Sequence, residues 1–185
     1  PRTMVKHLMA SNHGNLQDLE LVQLLSFGDA ISIKELRSAK FRLKTFYYGW
    51  VATEAITEGR VDLVPSRFSR IPLLFEGGQI HVDTAIVQIT PPDRSGYCSL
   101  GVTLDVARQA MEQATLNIGE INPLVPRTFG DTFVNISDFD LLVKAADAPH
   151  YLFRATSSDI LFPGYMKVTG VEKSGKAKDG EENGE

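Results

Sequence analysis

A serine and a cysteine stand side by side between two glycines in the segment Gly96-Tyr97-Cys98-Ser99-Leu100-Gly101. Enzymes activate hydroxyls and thiols as nucleophiles when a base lies next to them. The nucleophile elbow requires Gly-x-Ser-x-Gly, and here the first glycine lies one residue too early. None of the histidines that could act as the base lies in a recognisable catalytic motif: His7, His13, His81 and His150. Since a reactive thiol also needs an electropositive neighbourhood, neither side chain is a strong candidate nucleophile.

The same segment is more typical of a ligand-binding loop. Gly96 and Gly101 would let the backbone approach a ligand closely, and Ser99 could cap a helix that follows. The free N–H groups of that helix would then face a carboxylate, a phosphate or a thioester oxygen. The plainer alternative for Cys98 is a small side chain packed beneath a loop. For Pro91 and Pro92, just upstream, the plainer alternative is a stiff turn that contacts no ligand.

A second segment, Arg127-Thr128-Phe129-Gly130-Asp131, follows the next predicted strand and two prolines. Arg127 could hold a carboxylate or phosphate through two parallel hydrogen bonds. Alternatively, Arg127 pairs with Asp131 and only braces the loop. Ser66 and Arg67 follow another predicted strand and are weaker candidates, and Ser66 is also a predicted helix N-cap.

Apolar periodicity predicts an alternation of strands and helices that would place these segments. Strands are predicted at 19–25, 41–46, 61–64, 84–89 and 116–121, with weaker ones at 133–136 and 151–153. Helices are predicted at 4–9, 50–58, 66–75, 104–114 and 139–146. This pattern is typical of an α/β domain with an open, mostly parallel sheet and helices on both faces. Because ligands bind beyond the carboxyl ends of such strands, we expect the two segments to converge along one rim.

Composition narrows the classes of partner and compartment. The chain has 185 residues, of which 43% are hydrophobic, enough for one domain with a core, and its net charge is -4. An acidic chain disfavours a nucleic-acid partner. A single cysteine excludes an internal disulfide, and the sequence shows no membrane span, signal peptide or metal-binding motif. These features predict a cytoplasmic protein without a membrane partner.

The two ends suggest a piece of a longer protein. The chain starts at Pro1, and residues 174–185 are mostly glycine and charged side chains. Such a composition buries too little apolar surface to offset the entropy lost on ordering. We therefore expect a linker or mobile tail at this end.

Four segments stand in a distinctive order: Gly59–Pro65, Ile71–Phe75, Pro91–Gly101 and Asn122–Asp131. In order and rough spacing they resemble the amino-terminal half of the acetyl-CoA hydrolase/transferase family, which includes 4-hydroxybutyrate CoA-transferases. The resemblance runs from about Pro1 to Phe153. It implies a CoA-transferase-like α/β domain at 1–156, incomplete at its start, followed by an unassigned segment and charged flexible tail at 157–185.

The resemblance also implies a function. Family members are expected to have two similar open α/β domains with the active site between them. A glutamate attacks an acyl-CoA, and a glutamyl-CoA intermediate then passes CoA to a small carboxylate. That glutamate would lie outside this chain, so the chain alone is expected to be inactive. CoA would be a substrate rather than a permanently bound cofactor, and the full-length enzyme is expected to form a homo-oligomer such as a homodimer.

Two alternatives remain open at this point. One is acyl-CoA (acetyl-CoA or succinyl-CoA) hydrolysis by the same family, in which water intercepts the intermediate. The other is a non-catalytic binding or assembly module of a larger protein. Under the enzyme reading, the residues expected to line the cleft for substrate and CoA are Gly96, Tyr97, Cys98, Ser99, Gly101, Arg127, Gly130, Asp131, Ser66 and Arg67.

Overall fold

The computed structural model describes residues 1–24, 40–47, 61–102, 104 and 106–149. All of them belong to one unit, Pro1–Pro149. The predicted helix at 50–58, the predicted strand at 151–153, the domain boundary at 156 and the tail at 157–185 lie outside the described residues.

The first sheet is parallel, with strands β1 (Leu19–Gln23), β2 (Phe41–Thr45) and β3 (Val61–Leu63) in that order. Alternate residues of β2 are buried, as expected for a strand with one face on the core. Helix α1 (Arg2–Ala10) covers that face, where Met9 packs with Phe41 and Leu43. The helix predicted at 4–9 and the three strands are therefore confirmed.

The second sheet is also parallel and has the order β4-β6-β8, with β4 at Thr84–Ile89, β6 at Leu116–Ile121 and β8 at Leu141–Lys144. Helix α3 (Ala107–Gln113) packs on it through Met111, which is buried with Val87 and Ile89. Neighbouring strands in this sheet are not consecutive along the chain, because two parallel strands must be joined by a crossover connection. Strands β4 and β6 both end at the same edge of this sheet, and the loops that follow them carry the predicted site.

Strands β5 (Tyr97–Ser99) and β7 (Phe133–Asn135) form a separate antiparallel ribbon. Cys98 and Val134 face each other in its register, and both are buried in the cluster beneath the second sheet's helix. The ribbon therefore fastens the chain that leaves β4 to the chain that approaches β8.

The helix predicted at 139–146 is wrong, because this stretch contains β8. A 3₁₀ turn at Ile136–Asp138 precedes it, closed by a capping box between Asn135 and Asp138. A short apolar run such as Leu141–Lys144 has no decisive periodicity. The backbone of β6 offers it a parallel partner, and that pairing determines its conformation.

The helix predicted at 66–75 divides into a 3₁₀ turn at Phe68–Arg70 and helix α2 at Ile71–Glu76. Ser66 is not its N-cap, since the Ser66 hydroxyl donates to the Arg67 carbonyl. Pro72 lies in the first turn of α2, where its missing N–H leaves no hydrogen bond unmade. Helix α3 is likewise shorter than the predicted 104–114.

A polar cluster anchors α1 to the residues that follow β8, and we call it the α1 anchor (Thr3, Lys6, Glu120 and Asp147). The buried Thr3 hydroxyl donates to the Asp147 carboxylate at 3.0 Å and accepts the backbone N–H groups of Ala146 and Asp147, each at 3.0 Å. Lys6 Nζ lies 2.9 Å from the same carboxylate. Hydrogen bonds from Lys6 and Thr3 lower the pKa of Asp147.

Glu120 completes the α1 anchor from the central strand of the second sheet. Its fully buried carboxylate accepts the backbone N–H of Met4 at 2.8 Å and the side-chain amide of Gln88 at 3.1 Å. The first N–H groups of a helix have no partner within the helix, and a carboxylate is favoured there. Glu120 is therefore a structural residue of the central strand.

Candidate functional site

A tight turn follows β4 and is organised by one carboxylate. Asp93 accepts the backbone N–H groups of Ser95 and Tyr97, each at 2.9 Å, through one side-chain oxygen. Gly96 lies in this turn with φ +83, a conformation that glycine adopts without strain. These bonds, with the nearby Arg127 guanidinium, lower the pKa of Asp93. The turn carries the chain back as β5, beside the end of β4.

The Ser99 hydroxyl joins the two predicted segments. Its oxygen accepts the backbone N–H groups of Gly101 and Thr128, each at 3.1 Å, and its hydrogen is within reach of the Thr128 carbonyl at 3.2 Å. The Thr128 hydroxyl in turn donates to the Gly101 carbonyl at 2.6 Å. We call the pair of segments 90–101 and 122–132 the joined loops. Their predicted convergence is confirmed. The backbone N–H groups of Gly101 and Thr128, however, donate to the Ser99 oxygen and are not free for a ligand.

Arg127 forms the second link between the joined loops. Its guanidinium donates to the Asp93 carboxylate at 2.7 Å and to the Tyr97 carbonyl at 3.1 and 3.2 Å. It also lies 5.1 Å from the centre of the Phe133 ring, a favourable position for a cation. The suggested pair with Asp131 is wrong, because Arg127 pairs with Asp93 of the other loop. Arg127 therefore braces the site, with most of its donors already in use.

Gly101 and Gly130 both have positive φ, at +72 and +87, yet their surroundings differ. A Cβ at Gly101 would lie 2.4 Å from the Val125 side chain, while a Cβ at Gly130 would meet nothing within 4 Å. The group that lies close to Gly101 is thus the Val125 side chain of the second loop. Gly130 is open on its outer side and remains a candidate for ligand contact.

The joined loops expose apolar side chains as well as the charged side chains of Asp93, Arg94 and Asp131. Phe129 is 80% exposed and Leu124 54%, and Val102, which directly follows the first segment, is 73% exposed. Tyr97 is also exposed, and Phe133 lies edge-on to both Tyr97 and Phe129, with ring centres 6.4 and 5.6 Å away. An apolar surface held on a hydrogen-bonded frame is a typical interaction surface.

The remaining predicted residues are two buried side chains, one exposed side chain and two residues without a hydrogen bond to the joined loops. Cys98 and Ser99 are fully buried, and Asp131 is exposed. Ser66 and Arg67 make no hydrogen bond to the joined loops within the part of the chain that the structure describes. The predicted capping of the following helix by Ser99 is wrong, because α3 starts only at Ala107 and its first turn has no side-chain cap.

Neither candidate nucleophile is suited to attack. The Ser99 oxygen is fully buried and already accepts two N–H groups. Burial raises the pKa of the Cys98 thiol, which keeps it protonated. No group of three or more metal-ligating side chains occurs among the described residues, and none of their helices is long and apolar enough to cross a membrane.

Sequence reasoning singled out neither Thr90 nor Arg108 among the residues that build the frame, and it included Thr128 only as a member of the segment 127–131, without a role of its own. The Thr90 hydroxyl accepts the Ser99 N–H at 2.9 Å. Arg108 donates to the Phe133 carbonyl at 2.8 Å and also to the Asp131 carbonyl. The only sequence signal for Thr90 and Thr128 was their place beside the prolines and glycines of the two segments. Arg108 gave none, because a helical arginine is usually solvated.

Comparison with known proteins agrees with this architecture. Residues 1–150 match the model of the acetyl-CoA hydrolase/transferase N-terminal domain. The 4-hydroxybutyrate coenzyme A transferase of Clostridium kluyveri is 37% identical over 138 residues, which cover 75% of this chain and 32% of that protein. The succinyl-CoA:acetate/propanoyl-CoA:succinate CoA transferase of Fasciola hepatica is 32% identical over 151 residues, covering 79% of this chain and 30% of that protein.

A solved structure shows the same fold. RipA from Yersinia pestis aligns with a TM-score of 0.68 at 24% identity, covering 85% of this chain and 38% of that one. The chain thus spans about a third of the length of the curated relatives, 32% and 30% in the two cases above. The matched domain includes both joined loops, and the chain therefore belongs to the acetyl-CoA hydrolase/transferase family.

Proposed function

We propose that this chain is the amino-terminal half of an acyl-CoA:carboxylate CoA-transferase. The two curated relatives described above bear the names of CoA transferases, and a third such relative is a butyryl-CoA:acetate CoA-transferase of Anaerostipes caccae. Their names support transfer over hydrolysis, although the family model's name covers both activities.

The observation that carries the proposal is the union of the two loops through Ser99 and Arg127. One hydroxyl and one guanidinium hold the segments together at the end of β4 and β6. The resulting frame presents Tyr97, Phe129 and Gly130 outward. In open α/β sheets this edge is where ligands bind. The proposed role of the frame is to form one wall of a cleft for acyl group and carboxylate, and its apolar surface helps to exclude water.

The covalent chemistry is assigned to a part of the enzyme outside this chain. In the proposed reaction, a glutamate carboxylate attacks the thioester carbonyl, and CoA leaves as the thiolate. The thiolate then attacks the glutamyl carbonyl of the resulting anhydride, which releases the product carboxylate and leaves a glutamyl-CoA thioester. An acceptor carboxylate reverses these steps. The buried states of Ser99 and Cys98 support this division, and the chain alone is proposed to be inactive.

The decisive experiment compares this chain with the full-length protein that contains it. Each is incubated with acyl-CoA and then treated with borohydride or hydroxylamine, and modified peptides are identified by mass spectrometry. We expect a modified glutamate outside residues 1–150 in the full-length protein and no adduct in this chain. Absence of an adduct in active, folded full-length protein would refute the glutamyl-CoA route.

Hydrolysis and transfer are separated by product analysis in the full-length protein. Transfer predicts that free CoA appears slowly without a carboxylate acceptor and that a new acyl-CoA forms when acetate is added. Rapid release of free CoA regardless of acetate would instead assign the hydrolase activity. No turnover of any acyl-CoA would favour a non-catalytic module.

The outward face can be tested by a matched pair of substitutions. Phe129→Ala removes an 80% exposed ring from the joined loops, and Leu73→Ala removes a 53% exposed side chain from α2. Neither should lower the melting temperature much, since exposed side chains contribute little to stability. We expect only Phe129→Ala to raise the KM for acyl-CoA or carboxylate. Equal KM values for the two variants would place the ligand elsewhere.

A further inference from the structure

Strand β8 forms an apolar edge of the second sheet. Among the described residues it pairs only with β6, so its other side has no strand beside it. Leu141 is 54% exposed and Leu142 45%, and as consecutive strand residues they point to opposite faces of the sheet. The opposite edge strand, β4, has no large exposed hydrophobic side chain. Because an unpaired, apolar edge is a template for pairing with another strand, β8 is a candidate interaction surface.

The backbone groups on the outer side of β8 can be assigned from one hydrogen bond. The Ala145 N–H donates to the Ile121 carbonyl of β6 at 2.9 Å. Successive residues of a strand direct their N–H and C=O groups to alternate sides, so Val143 also faces β6, whereas Leu142 and Lys144 face outward. The N–H and C=O of Leu142 therefore lie at the middle of the edge, where a further strand could bind both.

The edge 140–144 is complementary to itself in the antiparallel direction. Its exposed ends carry opposite charges, on Asp140 and Lys144, and neither has an ion-pair partner within the described residues. The Asp140 carboxylate does accept the Asn117 backbone N–H at 2.8 Å through one oxygen. In an antiparallel pair of two copies centred on Leu142, each Asp140 lies opposite Lys144 of the other copy, where opposite charges are favourable.

The same register is favoured over its neighbours by charge and by side-chain packing. Registers centred on Asp140 or Lys144 would place like charges opposite each other, and those centred one residue from Leu142 would place Asp140 opposite Leu142 or Ala146. In the register centred on Leu142, the two Leu142 side chains meet on one face. On the other face, Leu141 of each copy lies opposite Val143 of the other. Pairing would thus cover exposed apolar surface on both faces of the sheet.

We propose that two copies of this chain associate through β8, as an antiparallel strand pair across a two-fold axis. A two-fold interface brings the same patch of both copies together, as the self-complementary edge requires. The two second sheets then form one continuous sheet in the order β4-β6-β8-β8-β6-β4. Five residues a side make an interface smaller than the usual 1,200–2,000 Å² or so, and we therefore expect a weak, concentration-dependent dimer. The proposal does not depend on the transferase activity.

The first test is sedimentation of the purified chain over a series of concentrations. The wild type should change from monomer to dimer as the concentration rises. Lys144→Glu places two carboxylates opposite each other at both ends of the strand pair, and it should raise the Kd of the dimer about tenfold or more. Arg70→Glu is the control, since it changes the net charge equally at an exposed residue of the 3₁₀ turn before α2. Its Kd should equal that of the wild type.

Charge reversal in two separate variants provides a rescue. Asp140→Lys places lysines opposite each other in its own dimer, so it should also be monomeric. Mixing it with Lys144→Glu pairs opposite charges at both ends, and a heterodimer should form that neither variant makes alone. Melting temperatures show that both variants are folded before they are mixed, because Asp140→Lys also removes the bond to Asn117. Two folded variants that stay monomeric in the mixture, or a wild-type Kd in Lys144→Glu, would overturn the proposal.

Cross-linking tests the register directly. Facing residues of a hydrogen-bonded antiparallel pair have Cα atoms about 5.5 Å apart, within the range that a disulfide spans. Leu142→Cys should therefore give a disulfide-linked dimer on mild oxidation, in this chain and in the full-length protein. Leu73→Cys, at a 53% exposed position of α2, is the control, and the native Cys98 is fully buried. Equal cross-linking of the two variants, or none with Leu142→Cys in either protein, would refute the interface. Neither readout requires turnover.

Discussion

The joined loops and the α1 anchor are both polar networks, yet they differ in how far apart their partners lie along the chain. Ser99 and Thr128 are 29 residues apart, whereas Thr3 and Asp147 are 144 apart. The joined loops present exposed aromatic and aliphatic side chains, while the α1 anchor lies around the buried Thr3 and Glu120. A network that supports an apolar outer surface is suited to ligand contact, and one that encloses its own polar groups is suited to stability.

This contrast predicts different responses to substitution. Changes inside the joined loops should affect both stability and substrate use in the full-length enzyme. Changes in the α1 anchor should affect stability alone. The following substitutions test that division, beginning with the largest expected effect.

Gly101→Ala should destabilise the domain by about 2–4 kcal/mol, from backbone strain at positive φ and displacement of Val125. Its matched control is Gly130→Ala, which has a similar φ and open space around it. That variant should lose only about 1 kcal/mol. Urea denaturation of both variants measures the difference. Equal losses would show that Val125 moves aside without penalty and that the loops are less tightly joined.

Ser99→Ala should cost about 2–3 kcal/mol, because it leaves the buried N–H of Gly101 and the partly buried N–H of Thr128 without their acceptor. Ser95→Ala, at an exposed position of the adjacent turn, is the control and should be nearly neutral. In the full-length enzyme, Ser99→Ala should also lower kcat/KM. A stable Ser99→Ala protein with wild-type kinetics would remove Ser99 from the frame of the site.

Thr3→Val should cost about 1–2 kcal/mol, since it keeps the shape of Thr3 and removes the hydroxyl that binds Ala146 and Asp147. Hydrogen exchange should become faster in α1, with little change in the joined loops. Kinetic constants of the full-length enzyme should remain at wild-type values below the melting transition. A changed KM would contradict the separation of the two networks.

Asp93→Asn should lower the melting temperature at pH 7 by the smallest amount, because the carboxylate is partly exposed. The pKa of folded Asp93 lies below its ordinary value of 3.8. Its contribution to stability is therefore present above about pH 3.8 and is lost as the pH falls through the folded pKa. Melting curves of wild type and variant should converge in that acid range. A constant gap would indicate that the charge of Asp93 is not responsible.

Much of the fold could be predicted from local pattern. Strand β2 alternates apolar with charged residues, which is the pattern of a strand with one buried face, and β1, β4 and β6 are rich in apolar residues. The conformation of Leu141–Lys144 could not be predicted from local pattern, because it depends on pairing with β6. Ser66 had the chemistry of a helix cap, but the chain forms a 3₁₀ turn before α2.

The site was predictable in its location more than in its contacts. Glycines and prolines beyond β4 and β6 indicated two loops at one sheet edge, and the structure brings them together. The partner of Arg127 was missed because Asp131 is closer along the chain, while Asp93 is closer in space. Arg108 gave no signal, since it reaches the carbonyls of Asp131 and Phe133 only when α3 packs against residues 130–133.

By itself, the sequence determined the α/β alternation, the order of the family's segments and the edge at which they lie, because these depend on local periodicity and turn residues. Only the tertiary structure decided that Ser99 joins two loops and that Arg127 pairs with Asp93. The same holds for the Glu120 carboxylate, which accepts the backbone N–H of Met4 at the start of α1. Each of those contacts links residues 29 to 116 positions apart. Hydrogen bonds of this kind depend on distance and direction in the folded chain, which no spacing along the sequence specifies.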